Sequence, residues 1–248
     1  MERLTGLHAV RQALEAGRAL SHVLLARGRR GERVEELVRL AHGKGVPVRF
    51  EDRAQLDRLA GSPQHQGVIA LAAAQPAAVL DDLLRRATQD ASQKGFLVLL
   101  DGVEDPRNLG AIVRTALAAG AHGLVLPERR AAGLSDVVAR ASAGALAHLP
   151  VARVTNLVRA MEEMKQAGYW LVGLDERAET PYISADLSLP VGIVLGGEGR
   201  GLHELTRKRC DLLVSLPASG PVRSLNVSVA AGIVLFEVVR QRRGTCRA

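Results

Sequence analysis

The chain has 248 residues, of which 47% are hydrophobic and 24% are charged, a composition typical of a folded globular protein. Its formal net charge of +7 favours a polyanionic partner such as RNA, although most basic residues are arginine, as in proteins from GC-rich genomes. No apolar run approaches the ~18 residues of a membrane-spanning helix, and the first residues lack the apolar core of an export signal.

Two scarce residue types narrow the possible functions. Aromatic residues make up only 2% of the chain, so a platform that stacks bases on aromatic rings is poorly supported. The two cysteines, Cys210 and Cys246, form no CxxC pair and fit no metal-binding spacing. The sequence therefore predicts a cytoplasmic protein without a metal site. If RNA binds, arginine, backbone and shape must do most of the recognition.

Residues 1–74 are predicted to form a small α/β domain. The segment "LTGLHAVRQALEAG" has apolar residues at helical spacing and stops at Gly17. The segments "HVLLAR" and "VPVRF" are predicted strands on either side of a helix in "RVEELVRLAHGKG", and "HQGVIALAAA" is the predicted last strand. The domain has 12 basic and 8 acidic residues, so it could present positive charge to RNA.

One histidine of this domain, His65 in "GSPQHQGVIA", is open to two interpretations. It could act in catalysis or contact RNA. A structural or surface histidine at the start of a strand is the more economical interpretation.

A linker is predicted over residues 75–94, which begin near a proline and include a possible short helix. From Phe96 onward, over residues 95–248, strands alternate with helices. The predicted strands are "FLVLLDGV", "GLVLP", "YWLVGLD", "VGIVLGG" and "LLVSLP", and helices are predicted in "LGAIVRTALAAG", "SDVVARASAGA", "NLVRAMEEMKQAG" and "SLNVSVAAGIVLFEVVRQRR". Continuous apolar strands between helices predict a parallel sheet covered on both faces, which places ligands at the carboxyl ends of the strands.

The first polar motif, "DGVEDPRNLGAIVRTA", follows the first strand of this sheet. Asn108 is placed to begin a helix, and a helix N-cap would explain it without any further function. Arg114 lies six residues later in an otherwise small and apolar helix, so it is either a functional residue or a solvent-facing arginine.

The second motif, "VLGGEGRGL", imitates a nucleotide-binding loop. A phosphate-binding loop would need Lys and Ser or Thr after the last glycine, and the dinucleotide pattern would need glycine at position 202. The GxGxG spacing suits a Rossmann-type methyltransferase, but that loop follows the first strand of its domain, and here only about 45 residues remain. An ordinary Rossmann fold is therefore excluded by position. Glu198 would otherwise be an exposed residue near a helix start, where the helix dipole favours a carboxylate.

The third motif, "LLVSLPASGPVRSLNVSVAAG", leads from a strand into the last helix. Ser224 and Asn226 open that helix, and both residue types suit helix caps. Ser224 has no histidine nearby in sequence and no GxSxG elbow around it, so it is not expected to be a nucleophile.

Together, the three motifs resemble those of the SpoU/TrmH group of SPOUT RNA 2′-O-ribose methyltransferases in order and spacing. The segments "GLHAVRQAL" and "PQHQGV" resemble the ribosomal-protein-like substrate-binding domain that precedes this catalytic domain, so the resemblance covers essentially the whole chain. It implies an α/β fold in which a SPOUT catalytic domain with a parallel sheet and a carboxyl-terminal trefoil knot follows a small α/β domain. Within the group, the similarity is greatest to enzymes that methylate a guanosine in 23S ribosomal RNA.

The resemblance also implies a cofactor and a set of site residues. The cofactor is S-adenosyl-L-methionine, held by knot loops at 195–201, 214–219 and 223–228, with Gly196, Leu216 and Leu225 in contact with it. The polar active-site positions correspond to Asn108, Arg114, Glu198, Ser224 and Asn226. The group is homodimeric, with the active site close to the dimer interface. One departure is Arg223, which stands where a small or neutral residue is expected.

Chemistry suggests a role for each polar residue. Methyl transfer to a ribose hydroxyl requires loss of its proton and stabilisation of the developing negative charge. Arg114 is expected to orient the substrate and stabilise that charge rather than act as a base, because an arginine pKa lies above ~12. Asn108 and Glu198 are expected to orient Arg114 or the substrate, and Ser224 and Asn226 to fix the knot loop. Methylation of transfer RNA and a non-catalytic RNA-binding knot protein remain the alternatives.

Overall fold

The computed structural model describes residues 2–61, 63–72, 79–89, 94–221 and 224–244. Its helices and strands follow in chain order: β1 (Glu2–Thr5), α1 (Leu7–Glu15), β2 (Leu20–Ala26), α2 (Glu32–Gly43), β3 (Val48–Glu51), α3 (Arg53–Ala60), β4 (Val68–Ala72), α4 (Leu80–Gln89), β5 (Phe96–Asp101), α5 (Pro106–Ala118), β6 (Gly123–Pro127), α6 (Asp136–Ala141), β7 (Val151–Val154), α7 (Leu157–Gln166), β8 (Trp170–Leu174), β9 (Val191–Gly196), α8 (Glu204–Arg209), β10 (Leu212–Val214) and α9 (Val227–Gly244). They divide into two compact units, one within residues 1–76 and 134–148, the other within 77–133 and 149–248.

The first unit is built on a four-stranded sheet in the order β1-β4-β2-β3. Strands β2 and β3 are parallel, whereas β4 pairs antiparallel with both β1 and β2. Buried residues of α1 and α2 recur every three or four positions, which turns one apolar stripe of each helix toward the core. Two elements were not predicted, β1 and α3. Helix α1 therefore begins at Leu7, because Glu2–Thr5 pair with β4 instead.

Residues 134–148 group with this first unit although they lie far along the chain. Arg140 Nη1 donates a hydrogen bond to Thr5 Oγ1 at 3.1 Å. Gly144 lies so close to Gln12 that an added Cβ would stand 2.4 Å from its Cγ. The domain boundaries predicted from the sequence place this segment with residues 95–248. The predicted linker, 75–94, contains α4, and its residues 75–78 and 90–93 are outside the described residues.

The second unit confirms the predicted parallel sheet. Its six strands run in the order β10-β8-β9-β5-β6-β7, and every pair is parallel. All six residues of the central strand β5 are buried, as expected for a strand covered on both sides. Strand β7 and helix α8 were not predicted.

Each face of this sheet is covered by a different set of helices. Helices α4 and α7 bury Leu83, Met161 and Met164 in a cluster with Leu97 and Leu99 of β5. Side chains alternate along a strand, so Val98 and Leu100 point to the opposite face. Helices α5 and α9 pack against each other and against β6 and β9, and they cover this opposite face of the sheet. None of the helices in the described residues has the length and apolar character needed to cross a bilayer.

Candidate active site

Two loops begin side by side at the carboxyl edge of the sheet, because Asp101 of β5 and Gly196 of β9 are paired in the strand register. The backbone carbonyl of Asp101 accepts a hydrogen bond from Gly197 N at 2.8 Å. Its buried carboxylate accepts from His203 N at 2.8 Å, and its other oxygen lies 2.9 Å from His203 Nδ1. Three contacts thus fasten both ends of the loop after β9 to one aspartate. The pairing of Asp101 with His203 was not predicted, and an aspartate at the end of a buried strand was its only signal in the sequence.

The glycines of this loop are required by the loop's own backbone. A Cβ on Gly196 would stand 2.1 Å from the carbonyl carbon of Gly201, and a Cβ on Gly197 would stand 1.9 Å from Gly102 O. Gly199 and Gly201 have φ angles of 80° and 66°, the left-handed region that favours glycine. Close self-packing and two left-handed residues account for the "GGEGRG" pattern without a phosphate.

Asn108 does not cap α5, which corrects the simpler interpretation of that residue. Asp105 is the cap, and its carboxylate accepts a hydrogen bond from Arg107 N at 2.9 Å. Pro106 takes the first helical position, where its missing N–H costs nothing. Because Asp105 performs the capping, the Asn108 side chain is free, and its Nδ2 donates to Glu198 Oε1.

Asn226 joins the same group from the third motif. Its Nδ2 donates to Asn108 Oδ1 at 3.1 Å, while its Oδ1 accepts from Ser228 N at 2.9 Å and from Ser228 Oγ at 2.6 Å. Asn226 is therefore a helix cap, as expected, and also a bridge to α5. A carboxylate can only accept, so Glu198 fixes which end of the Asn108 amide faces it. We call these residues the Asn108–Glu198–Asn226 cluster.

Glu198 stands at a different helix from the one that its sequence position suggested. The next helix along the chain, α8, begins only at Glu204. Glu198 instead bonds to Asn108 in the first turn of α5. A carboxylate there is favoured by the positive end of the α5 dipole.

The other predicted polar residues lie outside this cluster. Arg114 is exposed and lies about 9 Å of helix rise beyond Asn108. Within the described part of the chain, Arg114 forms no ion pair or hydrogen bond, and neither does the exposed side chain of Ser224. Arg223 is outside the described residues.

The predicted cofactor contacts have the chemistry of a ligand site. Leu225 is apolar yet 51% exposed, and Leu216 is half-buried. Among the described residues, the backbone N–H groups of Ala218, Ser219 and Gly220 find no acceptor. An adenosine-bearing ligand could contact both kinds of group, the apolar side chains through its base and ribose faces and the N–H groups through its acceptor atoms.

A second carboxylate, that of Asp175, lies at the same carboxyl edge of the sheet and binds two arginines. Asp175 is buried and follows β8 directly. Its carboxylate accepts hydrogen bonds from Arg177 Nε at 3.0 Å and from Arg207 Nε at 2.7 Å. Burial alone would raise the pKa of Asp175, but the hydrogen bonds from Arg177 and Arg207 outweigh it and lower the pKa to about 2. The carboxylate thus stays ionised and links α8 to the end of β8. Nothing in the sequence pattern distinguished it from other acidic residues.

His65 is a structural residue. Its side chain is fully buried, its Nδ1 accepts from Gly67 N at 2.9 Å, and its Nε2 lies 2.7 Å from Asp57 Oδ1. Both ring nitrogens are satisfied within the first unit. The structural interpretation is confirmed, and a surface position is excluded.

The sequence is similar to the sequences of known proteins over both units. The sequence profile of the SpoU rRNA Methylase family matches residues 95–236, and a profile described as RNA 2′-O ribose methyltransferase substrate binding matches residues 3–78. YacO of Bacillus subtilis, assigned by its name to the TrmH family of tRNA/rRNA methyltransferases, is 44% identical over 237 residues, covering 96% of this chain and 94% of YacO.

Solved structures share the fold over nearly the full length. The SpoU methyltransferase AviRb from Streptomyces viridochromogenes, in complex with the cofactor AdoMet, superposes with a TM-score of 0.81 at 30% identity, covering 98% of this chain and 90% of AviRb. An AdoMet-bound rRNA methyltransferase from Sinorhizobium meliloti gives a TM-score of 0.78 at 28% identity, covering 96% and 87%. The profile match, the identity to YacO and the shared fold all agree: the chain belongs to the SpoU rRNA methylase family.

Proposed function

We propose that this protein transfers a methyl group from S-adenosyl-L-methionine to the ribose 2′-hydroxyl of a guanosine in 23S ribosomal RNA, in the cytoplasm. The observation that carries the proposal is the Asn108–Glu198–Asn226 cluster, which joins the three separate motifs at the ligand-binding edge of the sheet. A ribosomal RNA substrate is supported by the similarity to the Sinorhizobium meliloti rRNA methyltransferase, which extends over both units.

S-adenosyl-L-methionine would be held by the backbone at Gly196 and by Leu216 and Leu225, beside the free N–H groups of residues 218–220. When bound, it supplies an electrophilic methyl group on a sulfonium centre. The exposed surface of Leu225 suits the apolar parts of such a ligand. The backbone N–H groups of residues 218–220 suit the hydrogen-bond acceptors of such a ligand.

The polar residues act on the ribose. Glu198 uses Oε1 to bind Asn108, so its second oxygen can accept a hydrogen bond from a substrate hydroxyl. Asn226 fixes Asn108, and through it the position of Glu198. Arg114 carries a guanidinium that no carboxylate within the described residues neutralises, so it can stabilise negative charge on the 2′-oxygen. Positioning of the hydroxyl and stabilisation of its charge are the two contributions of this chain.

A second copy of the chain fits an apolar stripe on α9. Val229, Ile233 and Phe236 are 52%, 36% and 50% exposed, and their spacing puts them on one face of the helix. Leu225 extends the same surface to the start of the helix, directly beside Asn226 of the cluster. Apolar surface of this kind on a soluble unit marks an interface. We propose a homodimer in which this stripe is buried next to the active site.

Replacing Phe236 with glutamate is expected to separate the dimer, because a carboxylate within the stripe would be buried at the interface without a partner. Light scattering after size exclusion should give twice the 26.4 kDa chain mass for the parent protein and the single mass for the variant. Leu205→Glu is the matched control, since Leu205 is 68% exposed on α8. A parent protein that elutes as a monomer would disprove the proposed dimer.

The substrate is tested by mass mapping of methylated nucleotides in RNA from cells that lack the protein. We expect one 2′-O-methylguanosine to be absent from 23S ribosomal RNA and to return when the gene is restored. Loss of a methylated nucleotide from transfer RNA instead would identify the alternative substrate. Unchanged methylation of both RNAs, with RNA binding retained in vitro, would identify a non-catalytic RNA-binding protein.

A further inference from the structure

The first unit contains an open cavity of about 790 Å³. Its wall is formed by the start of α1, by the loop between β2 and α2, and by the turn that follows His65. Four arginines line this cavity: Arg11, Arg29, Arg30 and Arg33. The acidic residue of the lining is Glu32. The volume lies in the range that holds a small ligand, ~300–1,000 Å³. Arg11 is ion-paired with Glu15 and Glu36, so the positive charge available to a ligand comes from Arg29, Arg30 and Arg33. These guanidinium groups favour an anion with several acceptor oxygens.

The loop between β2 and α2 holds two of these arginines in a defined conformation. Gly28 and Gly31 flank them with φ angles of 77° and 133°, and nothing lies within 4 Å of a Cβ added at either glycine. The backbone conformation, not lack of space, therefore requires glycine at both positions. Arg29 and Arg30 stand between these two fixed points.

Arg29 is anchored at the wall of this cavity. Its side chain lies against the turn after His65, where a Cβ on Gly67 would stand 3.1 Å from Arg29 Nη1. Its Nε atom is buried, whereas the residue as a whole is half-buried and lines the cavity. A ligand in the cavity would therefore meet the terminal nitrogens of the Arg29 guanidinium.

The turn after His65 contributes an amide. Gln66 has a φ of 53°, a left-handed conformation that is uncommon for a residue with a side chain. The hydrogen bond from Gly67 N to the buried His65 ring holds the turn in this conformation. The exposed Gln66 carboxamide, which lines the cavity, can both donate and accept, as the edge of a nucleic-acid base requires.

We propose that this cavity binds one unpaired nucleotide of RNA, with its phosphate on Arg29 and Arg30 and its base edge on Gln66. The half-buried Leu7 supplies apolar surface for the base. The nucleotide is unpaired because a base within a duplex cannot present its edge to a cavity. The inference rests on the proposed function in one respect, that the substrate is RNA. It goes beyond the substrate-binding profile that matches residues 3–78 by naming the cavity, the contacting residues and an unpaired nucleotide as the group bound.

The test uses the full-length protein and a fluorescein-labelled 12-nucleotide single-stranded RNA, with the same strand in a duplex for comparison. We expect Arg29→Gln/Arg30→Gln to raise Kd for the single strand by about tenfold or more and to lower the slope of log K against log salt by about two. Arg39→Gln is the matched control, because Arg39 is exposed on α2 and does not line the cavity. Its Kd should stay within about twofold of the parent value.

The Gln66→Gly variant tests the contact with the base edge without disturbing the fold. Glycine readily adopts the left-handed φ of this turn and lacks the carboxamide. We expect a Kd raised about threefold or more at an unchanged or higher melting temperature. An unchanged Kd in both cavity variants, an equal loss in Arg39→Gln, or tighter binding of the duplex than of the single strand would overturn the inference.

Methyl-transfer kinetics separate this inference from the proposed function. The double variant should raise KM for RNA and leave kcat unchanged, because the cavity binds RNA away from the reacting atoms. An active enzyme whose KM does not change in the double variant would reject the cavity and keep the function. A protein that binds single-stranded RNA through the cavity but methylates no RNA would keep the inference and reject the function.

Discussion

Replacing Arg114 with alanine is expected to lower methyl transfer to RNA by a factor of about a hundred to a thousand, the usual effect of removing a group that stabilises a developing oxyanion. Affinity for S-adenosyl-L-methionine should be retained, because Arg114 forms no hydrogen bond within the described residues that would transmit its loss to the loops at 195–201 or 214–219. Transfer of a labelled methyl group and calorimetric titration of the cofactor measure the two quantities separately.

Two further variants make the test specific. Arg159→Ala removes an exposed arginine on α7, on the other face of the sheet, and should leave activity unchanged. Arg114→Lys keeps the positive charge, so it should retain part of the activity with an unshifted pH profile if the residue stabilises charge. A pH profile that moves to lower pH in Arg114→Lys would instead show that the residue acts as a base, since the lysine pKa is lower. Full activity in Arg114→Ala would remove the residue from the mechanism.

Replacing Gly197 with alanine is expected to have the largest structural effect of any single methyl group added to this site. The new Cβ would stand 1.9 Å from Gly102 O, a backbone atom that cannot rotate away. The loop after β9 must therefore move from the end of β5, which breaks the hydrogen bond from Gly197 N to Asp101 O and displaces Glu198 from Asn108. We expect a loss of about 1–3 kcal/mol in unfolding free energy and at least a tenfold weaker cofactor affinity.

Gly133→Ala is the control for this change. Gly133 is exposed, has no atom within 4 Å of an added Cβ and does not have a positive φ angle, so alanine should fit without strain. Urea denaturation and cofactor titration of both variants provide the measurement. Equal stability and affinity for Gly197→Ala and the parent protein would contradict the close approach seen between these two loops.

The sequence singled out three polar residues that the structure brings together, but it did not show how they contact each other. Asn108, Glu198 and Asn226 were singled out from three motifs up to 118 residues apart, and the structure joins them by hydrogen bonds. Local spacing could not show that Asp105 rather than Asn108 caps α5, because Asp, Asn and the intervening proline all suit a helix start. Arg114 was also singled out, but its contribution needs a ligand or a second chain, so its role in catalysis stays a prediction.

The strands and helices that escaped prediction are those with weak local signals. β1 and β7 have four residues each and were missed, although the equally short β3 was predicted, so length alone does not separate them. α3 has one buried residue, Leu56, so it lacks the apolar stripe that identifies a helix. Asp175 and Asp101 could not be singled out from local sequence, because their hydrogen-bond partners lie more than 30 residues away, in α8 and in the loop before it.

The placement of residues 134–148 has a consequence for the continuity of the chain. The polypeptide leaves the first unit near residue 76, returns to it at Leu134 and leaves it again after His148. Three covalent connections therefore join the units, and no single proteolytic cut divides the chain into one fragment for each unit. A fragment that ends at residue 76 would lack the segment that contacts Thr5 and Gln12, so neither unit corresponds to one uninterrupted stretch of the gene.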